Sequence, residues 1–434
     1  MDHIPSHPRE KELGIEVFFT DTPGIGGKLR KEPEDFIVEE ISDFPEKDEN
    51  GRYTIAKVTS INWEMNRLVR HLAKSLRISR NKIGFAGTKD KRAVTTQLMS
   101  FDAPIENVTS LYMHQVAITD AYRARKPITI GDLIGNSFKI RIRECLYHDE
   151  ELAKILKETL SILEQSGGFP NFFGIQRFGV IRPVTHHVGR YIIKGDFERA
   201  VMTYVANPID YESEEVREAR RRLEETRDFE TALRVFPRKL VFERTVISHL
   251  VKHPGDYVGA IRSLPENLQM MFVHAYQSYL FNKILSERIK RNLPLNRPVV
   301  GDVVLPADAR GLPDHDHYVL VTKENVDLAE KRVAEGKAFV SGVLFGSESE
   351  LAEGEMGAIE REIIEGEGIT KSDFVVPELP QCSSRGSRRE LLARIKNLEY
   401  FVENNEVLIS FSLDRGCYAT ALLREIMKGD VTSY

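Results

Sequence analysis

The period of the apolar positions changes several times along the chain, and the changes outline its organisation. Alternation at every second residue predicts strands over 14–19, 35–41 and 53–59, separated by turns rich in Pro, Gly and Asp. Over 63–80 the spacing of Leu68, Leu72 and Leu76 switches to that of a helix. Strands are predicted again at 95–101, 116–120 and 137–143. The last alternates Phe138, Ile140 and Ile142 with Lys139, Arg141 and Arg143, giving one apolar face and one basic face, either an RNA or DNA platform or, as is commoner, a solvated face. A helix over 150–165 stops at Gly167 and Gly168, with Pro170 beyond.

From about residue 195 the texture becomes helical, with helices over 196–207, 214–222, 239–252 and 266–291 and short strands at 297–305 and 317–322. Strand patterning resumes at 398–402 and 406–412, a hairpin across Glu403, Asn404 and Asn405, and a final helix follows Gly416. Strands at both ends of a 434-residue chain, too long for one ordinary core, predict an α+β protein. One sheet domain, 1–195 with 384–434, is interrupted by an insertion, 196–383, that has its own α+β core.

Composition narrows the class. With 41% hydrophobic and 29% charged residues and no apolar run of spanning length, a globular chain without a membrane role is expected. Cys145, Cys382 and Cys417 are few and far apart, and the N-terminus has no apolar signal core. Both point to a reducing cytoplasm, without structural disulfides or a cysteine-rich zinc site. The run Asp314-His315-Asp316-His317 lacks further ligands at defined spacing and reads as an exposed turn, so no metal is assigned. In the absence of a coiled or symmetric segment, a monomer without a protein partner is expected. A net charge of −5 argues against a uniformly basic binder, but the acids cluster in stretches such as 213–218 and 347–367. Between Arg67 and Lys82 there is no acid at all, so this helix presents either a positive wall suited to backbone phosphates or an ordinary solvated face.

Two stretches carry candidate chemistry. In 84–97, Lys89, Asp90, Lys91 and Arg92 follow Gly84 and Gly87 between two strand-forming runs. Three neighbouring cations favour a carboxylate, which suits Asp90 to act as an ionised nucleophile or base; the competing reading is a solvated hairpin tip. In 171–179, Asn171, Phe172, Phe173, Gln176, Arg177 and Phe178 combine flat stacking surfaces with hydrogen-bonding edges, as holding a displaced nucleobase requires; the competing reading is aromatic core beside a loop, disfavoured because Asn171, Gln176 and Arg177 are costly to bury without partners. A third stretch, Gly24 to Lys28, has the wrong spacing for a phosphate loop and reads as a flexible turn, which disfavours a phosphotransferase. The remaining alternative to an enzyme is a noncatalytic RNA-binding or RNA-chaperone protein, for which Asp90 is dispensable.

Taken together, Gly87-Thr-Lys-Asp-Lys-Arg-Ala-Val-Thr-Thr-Gln97, Gly135-Asn-Ser-Phe138, Asn171-Phe-Phe-Gly-Ile-Gln-Arg-Phe-Gly179 and Gly416-Cys-Tyr-Ala-Thr-Ala-Leu-Leu-Arg-Glu425 resemble the TruD family of tRNA pseudouridine synthases. The resemblance includes Glu34-Asp-Phe-Ile-Val-Glu-Glu40, spans nearly the whole chain and is nearest the archaeal branch. It implies isomerisation of a tRNA uridine, at position 13, to pseudouridine without cofactor or metal, on a mixed, mainly antiparallel sheet interrupted by the family's insertion domain. By the same resemblance Asp90 is the catalytic aspartate and Lys89 holds or tunes it. Asn136, Phe138, Asn171 and Phe173 lie near the flipped base, and Arg30, Phe36 and Tyr418 line the pocket. Arg30 departs from the lysine of the bacterial members, keeping the charge and adding bidentate hydrogen bonding.

Overall fold

The computed structural model describes residues 3–89 and 92–430. It divides into two compact units, Thr22–Phe169 with Ala393–Tyr434, and Met1–Asp21 with Pro170–Leu392. The sheet-bearing unit is built on a mixed, mainly antiparallel sheet, the class expected from the sequence. Its strands run in the spatial order Lys396–Glu403, Glu406–Asp414, Leu133–Cys145, Phe36–Ser42, Val94–Phe101, Tyr53–Ile61 and Val116–Ala124. Gly26–Lys28 adds to Leu133–Cys145, and Ile83–Phe85 adds to Val94–Phe101. The single parallel pairing among these, Phe36–Ser42 with Val94–Phe101, is reached through the intervening Tyr53–Ile61 strand and the Met65–Leu76 helix. That helix buries Leu68, Val69, Leu72 and Ala73 against Ala56, Val58, Met99 and Phe101, so its leucine stripe does what its spacing predicts.

Three expectations are corrected in this unit and its neighbour. Residues 24–28 are not a free turn: Gly26 pairs with Cys145 and Lys28 with Arg143, because a long neighbouring strand supplies the ladder that a short glycine-rich segment lacks by itself. Residues 14–19 do not form a strand beyond an isolated bridge between Pro5 and Val17. Their backbone bonds are shared between residues 4–10 and a helix: Phe18 donates to the Ile4 carbonyl at 2.8 Å and Glu16 accepts from the Ser6 amide at 2.9 Å, while Ser286 donates to the Gly14 carbonyl at 2.8 Å and the Glu16 amide donates to Ser286 at 3.0 Å. The 137–143 strand alternates as predicted, yet its basic face is largely neutralised. Arg143 grips Asp35 through Nε and Nη2 at 2.7–2.9 Å and reaches Glu406 at 3.0 Å, and Arg141 reaches Glu406 at 3.0 Å.

Asp35 is inaccessible, and burial acts to raise its pKa. The hydrogen bonds from Arg143 and the Glu32 amide, with the nearby guanidinium charges, outweigh that and hold the carboxyl below the ordinary aspartate range. A lowered folded pKa means stabilisation that is complete above the unfolded value and lost as pH falls through the folded one. Asp35→Asn is therefore expected to cost roughly 2 kcal/mol at neutral pH. The difference from wild type should shrink below about pH 4. Urea unfolding at pH 7 and pH 3 checks both statements.

The second unit is organised on the 25-residue helix Glu266–Lys290, buried on most of its faces. Thr185–Ile193 crosses it at Gly189, where a Cβ would stand 2.0 Å from the Phe272 carbonyl oxygen, so only glycine permits the approach. A four-stranded antiparallel sheet, in the order Val319–Leu320, Val303–Pro306, Ala338–Leu344, Ser387–Glu390, completes the α+β core. The strand expected over 297–305 is confined to Val303–Pro306. Residues 196–383, expected as the insertion, lie wholly in this unit, which also takes in residues up to 21, 170–195 and 384–392. Among the described residues no helix is long and apolar enough to cross a membrane, and no cluster of three or more metal-ligating side chains occurs. The run 314–317 closes on itself, with His317 and Asp314 at 2.8 Å.

Candidate active site

Strand register gathers several of the sequence-predicted residues on one sheet face. Phe36 lies opposite Ile140, Val38 opposite Phe138 and Glu40 opposite Asn136, while Phe411 and Leu413 lie opposite Phe138 and Asn136 from the other side. Directly opposed residues project to the same face, so the rungs run from an aromatic end to a polar end. Phe36 meets Phe138 edge to face at 6.2 Å between centroids, and Phe138 stacks on Phe411 at 5.3 Å. The Arg30 guanidinium lies 4.0 Å from the Phe36 ring centroid, a cation–π contact presented from a residue with left-handed backbone (φ 55°). The Arg30 carbonyl in turn accepts from Arg92 at 3.3 Å.

At the polar end, the Lys89 ammonium donates to Glu40 Oε2 at 2.6 Å, with the side chains only 5% and 0% exposed. Ser42 donates to the other Glu40 oxygen at 2.9 Å. Lys89 is thus held at full charge-assisted strength in a dry setting, one residue before Asp90 in sequence. Asp90 and Lys91 lie outside the described residues. Asn136 Oδ1 is buried and, among the described residues, accepts no hydrogen bond; its ladder neighbour Glu40 is a carboxylate and has no proton to donate. Gly135 keeps this corner tight: a Cβ there would stand 2.3 Å from the Leu413 carbonyl oxygen. The turn after Asp414 is fastened by Arg415 donating to the Ile134 carbonyl at 2.8 Å, and it leads through Gly416 to Tyr418, the half-buried cap of the Ala419–Met427 helix. Arg30, Phe36, Lys89, Asn136, Phe138 and Tyr418 therefore belong to one unit.

Asn171 and Phe173 belong to the other unit and form a second constellation there. Asn171 is fully buried and its amide is committed at both ends. Nδ2 donates to Glu390 Oε1 at 2.8 Å, and Oδ1 accepts from Arg389 at 2.6 Å. The Arg389 guanidinium also lies 4.1 Å from the Phe173 ring centroid, while Phe173 exchanges backbone hydrogen bonds of 2.9 and 3.0 Å with the Asn282 amide. Burial of Asn171 is thus compensated by partners rather than left costly. Phe172, Phe173 and Phe178 are buried, so the aromatic content of 171–179 is chiefly core.

Sequence reasoning did not single out Glu40, Ser42, Phe411, Arg389 or Glu390. Glu40 carried a legible signal, because an acid at an inward position of an alternating strand, after Phe36 and Val38, needs a buried partner. Arg389 and Glu390 carried none, since their partner is more than two hundred residues away in the chain.

The exposed side of the Met65–Leu76 helix and the residues after it present Arg70, Lys74, Arg77 and Arg80. Among the described residues none of these four has a carboxylate within ion-pair distance.

Comparison with known proteins adds a consistent picture. The family model described as tRNA pseudouridine synthase D (TruD) matches residues 12–426. The probable tRNA pseudouridine synthase D of Methanococcoides burtonii is 44% identical over 436 residues, covering 99% of this chain and 98% of that protein. That of Thermoplasma acidophilum is 40% identical over 409 residues, covering 94% of each. A crystal structure of the putative tRNA pseudouridine synthase D from Methanosarcina mazei superposes with a TM-score of 0.86 at 41% identity, covering 98% of both chains.

Proposed function

The chain belongs to the TruD family, tRNA pseudouridine synthase D, and from that membership we propose that it isomerises a single tRNA uridine, at position 13, to pseudouridine with Asp90 as the catalytic carboxylate. The isomerisation breaks the bond from ribose C1′ to N1 of the base and joins the same base through C5. A proton leaves C5 and one is gained at N1, so nothing is oxidised or reduced. An ionised carboxylate beside the sugar and a dry enclosure that retains the detached base are what this chemistry needs. A stacked uridine is out of reach, so the nucleotide is flipped into the site.

The observation that carries the assignment is the buried Glu40–Lys89 ion pair of 2.6 Å, immediately before Asp90 in sequence and on the sheet face that bears Phe36, Phe138 and Asn136. In this reading Lys89 supplies a fixed positive charge that favours ionised Asp90. Phe36 and Phe138 form the apolar floor under the base, and Arg30, braced on Phe36, is the cation directed at the flipped nucleotide. Asn136 offers a buried amide to the uracil edge, where an unmet polar group gains most from a partner. Tyr418 closes the side, while Asn171 and Phe173 hold the 171–179 loop in shape. The acid-free Met65–Leu76 helix serves the RNA backbone.

Incubation of the protein with uridine-labelled tRNA transcripts, followed by nucleoside analysis, is expected to yield one pseudouridine per tRNA, and none where position 13 is cytidine. Conversion of the cytidine-13 transcript would refute the position; no conversion of any tRNA would refute the activity.

A further inference from the structure

The second unit contains a cavity of about 650 Å³ that none of the residues described above touches. It lies along the Val241–Lys252 helix, and no acid lines it. Its walls carry Arg238, Arg244, Thr245, Ser248, His249, Lys252 and His253. In a chain whose net charge is −5, a concave surface with three permanent cations and no carboxylate is a marked local reversal. Arg244 is fixed in the wall by donating to the carbonyls of Leu233 and Phe236, both at 2.7 Å. Arg238 and Lys252 are exposed and, among the described residues, have no carboxylate within ion-pair distance. Two acids of this region are already engaged. Asp256 is held by His249 at 2.8 Å and by the Gly259 amide at 2.8 Å, and Glu243 pairs with Arg220 at 2.9 Å. At the start of the same helix, Val241 and Phe242 are 61% and 45% exposed, apolar surface beside the cations.

Cations around a shallow concavity, with an exposed aromatic on the same helix next to the lining residue Val241, match a ribose-phosphate backbone better than a protein surface, which would need apolar continuity or acids of its own. We propose that this cavity is a second RNA-contact site, in which Arg238 and Lys252 pair with backbone phosphates of the bound tRNA and Phe242 packs against an adjoining ribose or base. The inference rests on tRNA being the substrate. It assigns the site to affinity alone, with no part in bond making.

The test compares wild type with the Arg238→Glu/Lys252→Glu variant for tRNA affinity at several salt concentrations, by filter binding, and for the single-turnover rate at saturating tRNA. Affinity is expected to fall by roughly tenfold or more at low salt, with the slope of log affinity against log salt reduced by about 2, one for each lost phosphate contact. The saturated single-turnover rate should be unchanged. Unaltered affinity and slope would overturn the proposal, as would an unaltered affinity for tRNA with loss of inorganic phosphate binding, which would mark a small-anion site. The Arg238→Gln/Lys252→Gln variant carries the same test if charge reversal impairs folding, with an effect of the same sign and smaller size. Failure of the functional reading looks different: wild type then makes no pseudouridine, while the affinity measurements still decide the cavity's role.

Discussion

Replacing Asp90 with asparagine is expected to lower pseudouridine formation by roughly ten-thousand-fold or more, with tRNA affinity staying within about twofold of wild type. Asparagine keeps the shape of aspartate and much of its hydrogen bonding but has no ionised oxygen, so the comparison isolates charge and nucleophilicity. The setting makes that charge central. Lys89, Lys91 and Arg92 flank Asp90 in sequence, and the Lys89 ammonium is itself tied down by Glu40 at 2.6 Å. In the proposed mechanism these cations favour the carboxylate, and an amide gives them nothing to stabilise. Binding should survive because a polyanion loses no attraction when a negative charge is removed from the protein. Single-turnover conversion of labelled tRNA gives the rate, and filter binding gives the affinity. Asp90→Ala run in parallel guards against back-conversion of asparagine to aspartate. An Asp90→Asn protein that retained more than about a hundredth of the wild-type rate would remove Asp90 from the chemistry.

How far the sequence reading reached depended on how local each cause was. Period-two alternation predicts strands over 35–41 and 137–143, where Phe36–Ser42 and the core of the longer Leu133–Cys145 lie, because one face of each is buried and every second side chain must be apolar. The same rule places Phe36, Phe138 and Asn136 on a common face once the register is known, and the register itself comes from tertiary pairing. Gly26–Lys28 was illegible as a strand, since two of its three residues are glycine and its ladder is lent by Leu133–Cys145. Residues 14–19 have a strand-like pattern, but their backbone is satisfied by residues 4–10 and by Ser286, a side chain of a helix more than two hundred and fifty positions later. Local composition also overstated the basic face of 137–143, because Asp35 and Glu406, which neutralise it, are distant in sequence. Asn171 is the clearest case at the candidate site. Its residue type and neighbours suggested a base-reading amide, whereas Arg389 and Glu390 occupy both ends of it.

The buried pair that was not singled out from sequence yields the other large prediction. Glu40→Leu leaves the Lys89 ammonium without its partner at a side-chain exposure of only 5%, and removing one member of a buried pair costs about 3–5 kcal/mol. The melting temperature should fall by on the order of 10 °C. Because Lys89 adjoins Asp90 in sequence, the loss should also reach the reaction, with kcat falling by roughly a hundredfold and KM changing little. Stability and chemistry are separated by the double variant Glu40→Leu/Lys89→Met, which removes both charges and fills the space with apolar side chains. Such replacements are often neutral or stabilising, so the melting temperature should return close to that of wild type. Turnover should not return, because the fixed cation before Asp90 is gone. Wild-type melting and turnover in Glu40→Leu would show that the pair holds nothing in place. Full activity in the double variant would reduce it to a structural contact and leave Asp90 to be tuned by Lys91 and Arg92 alone.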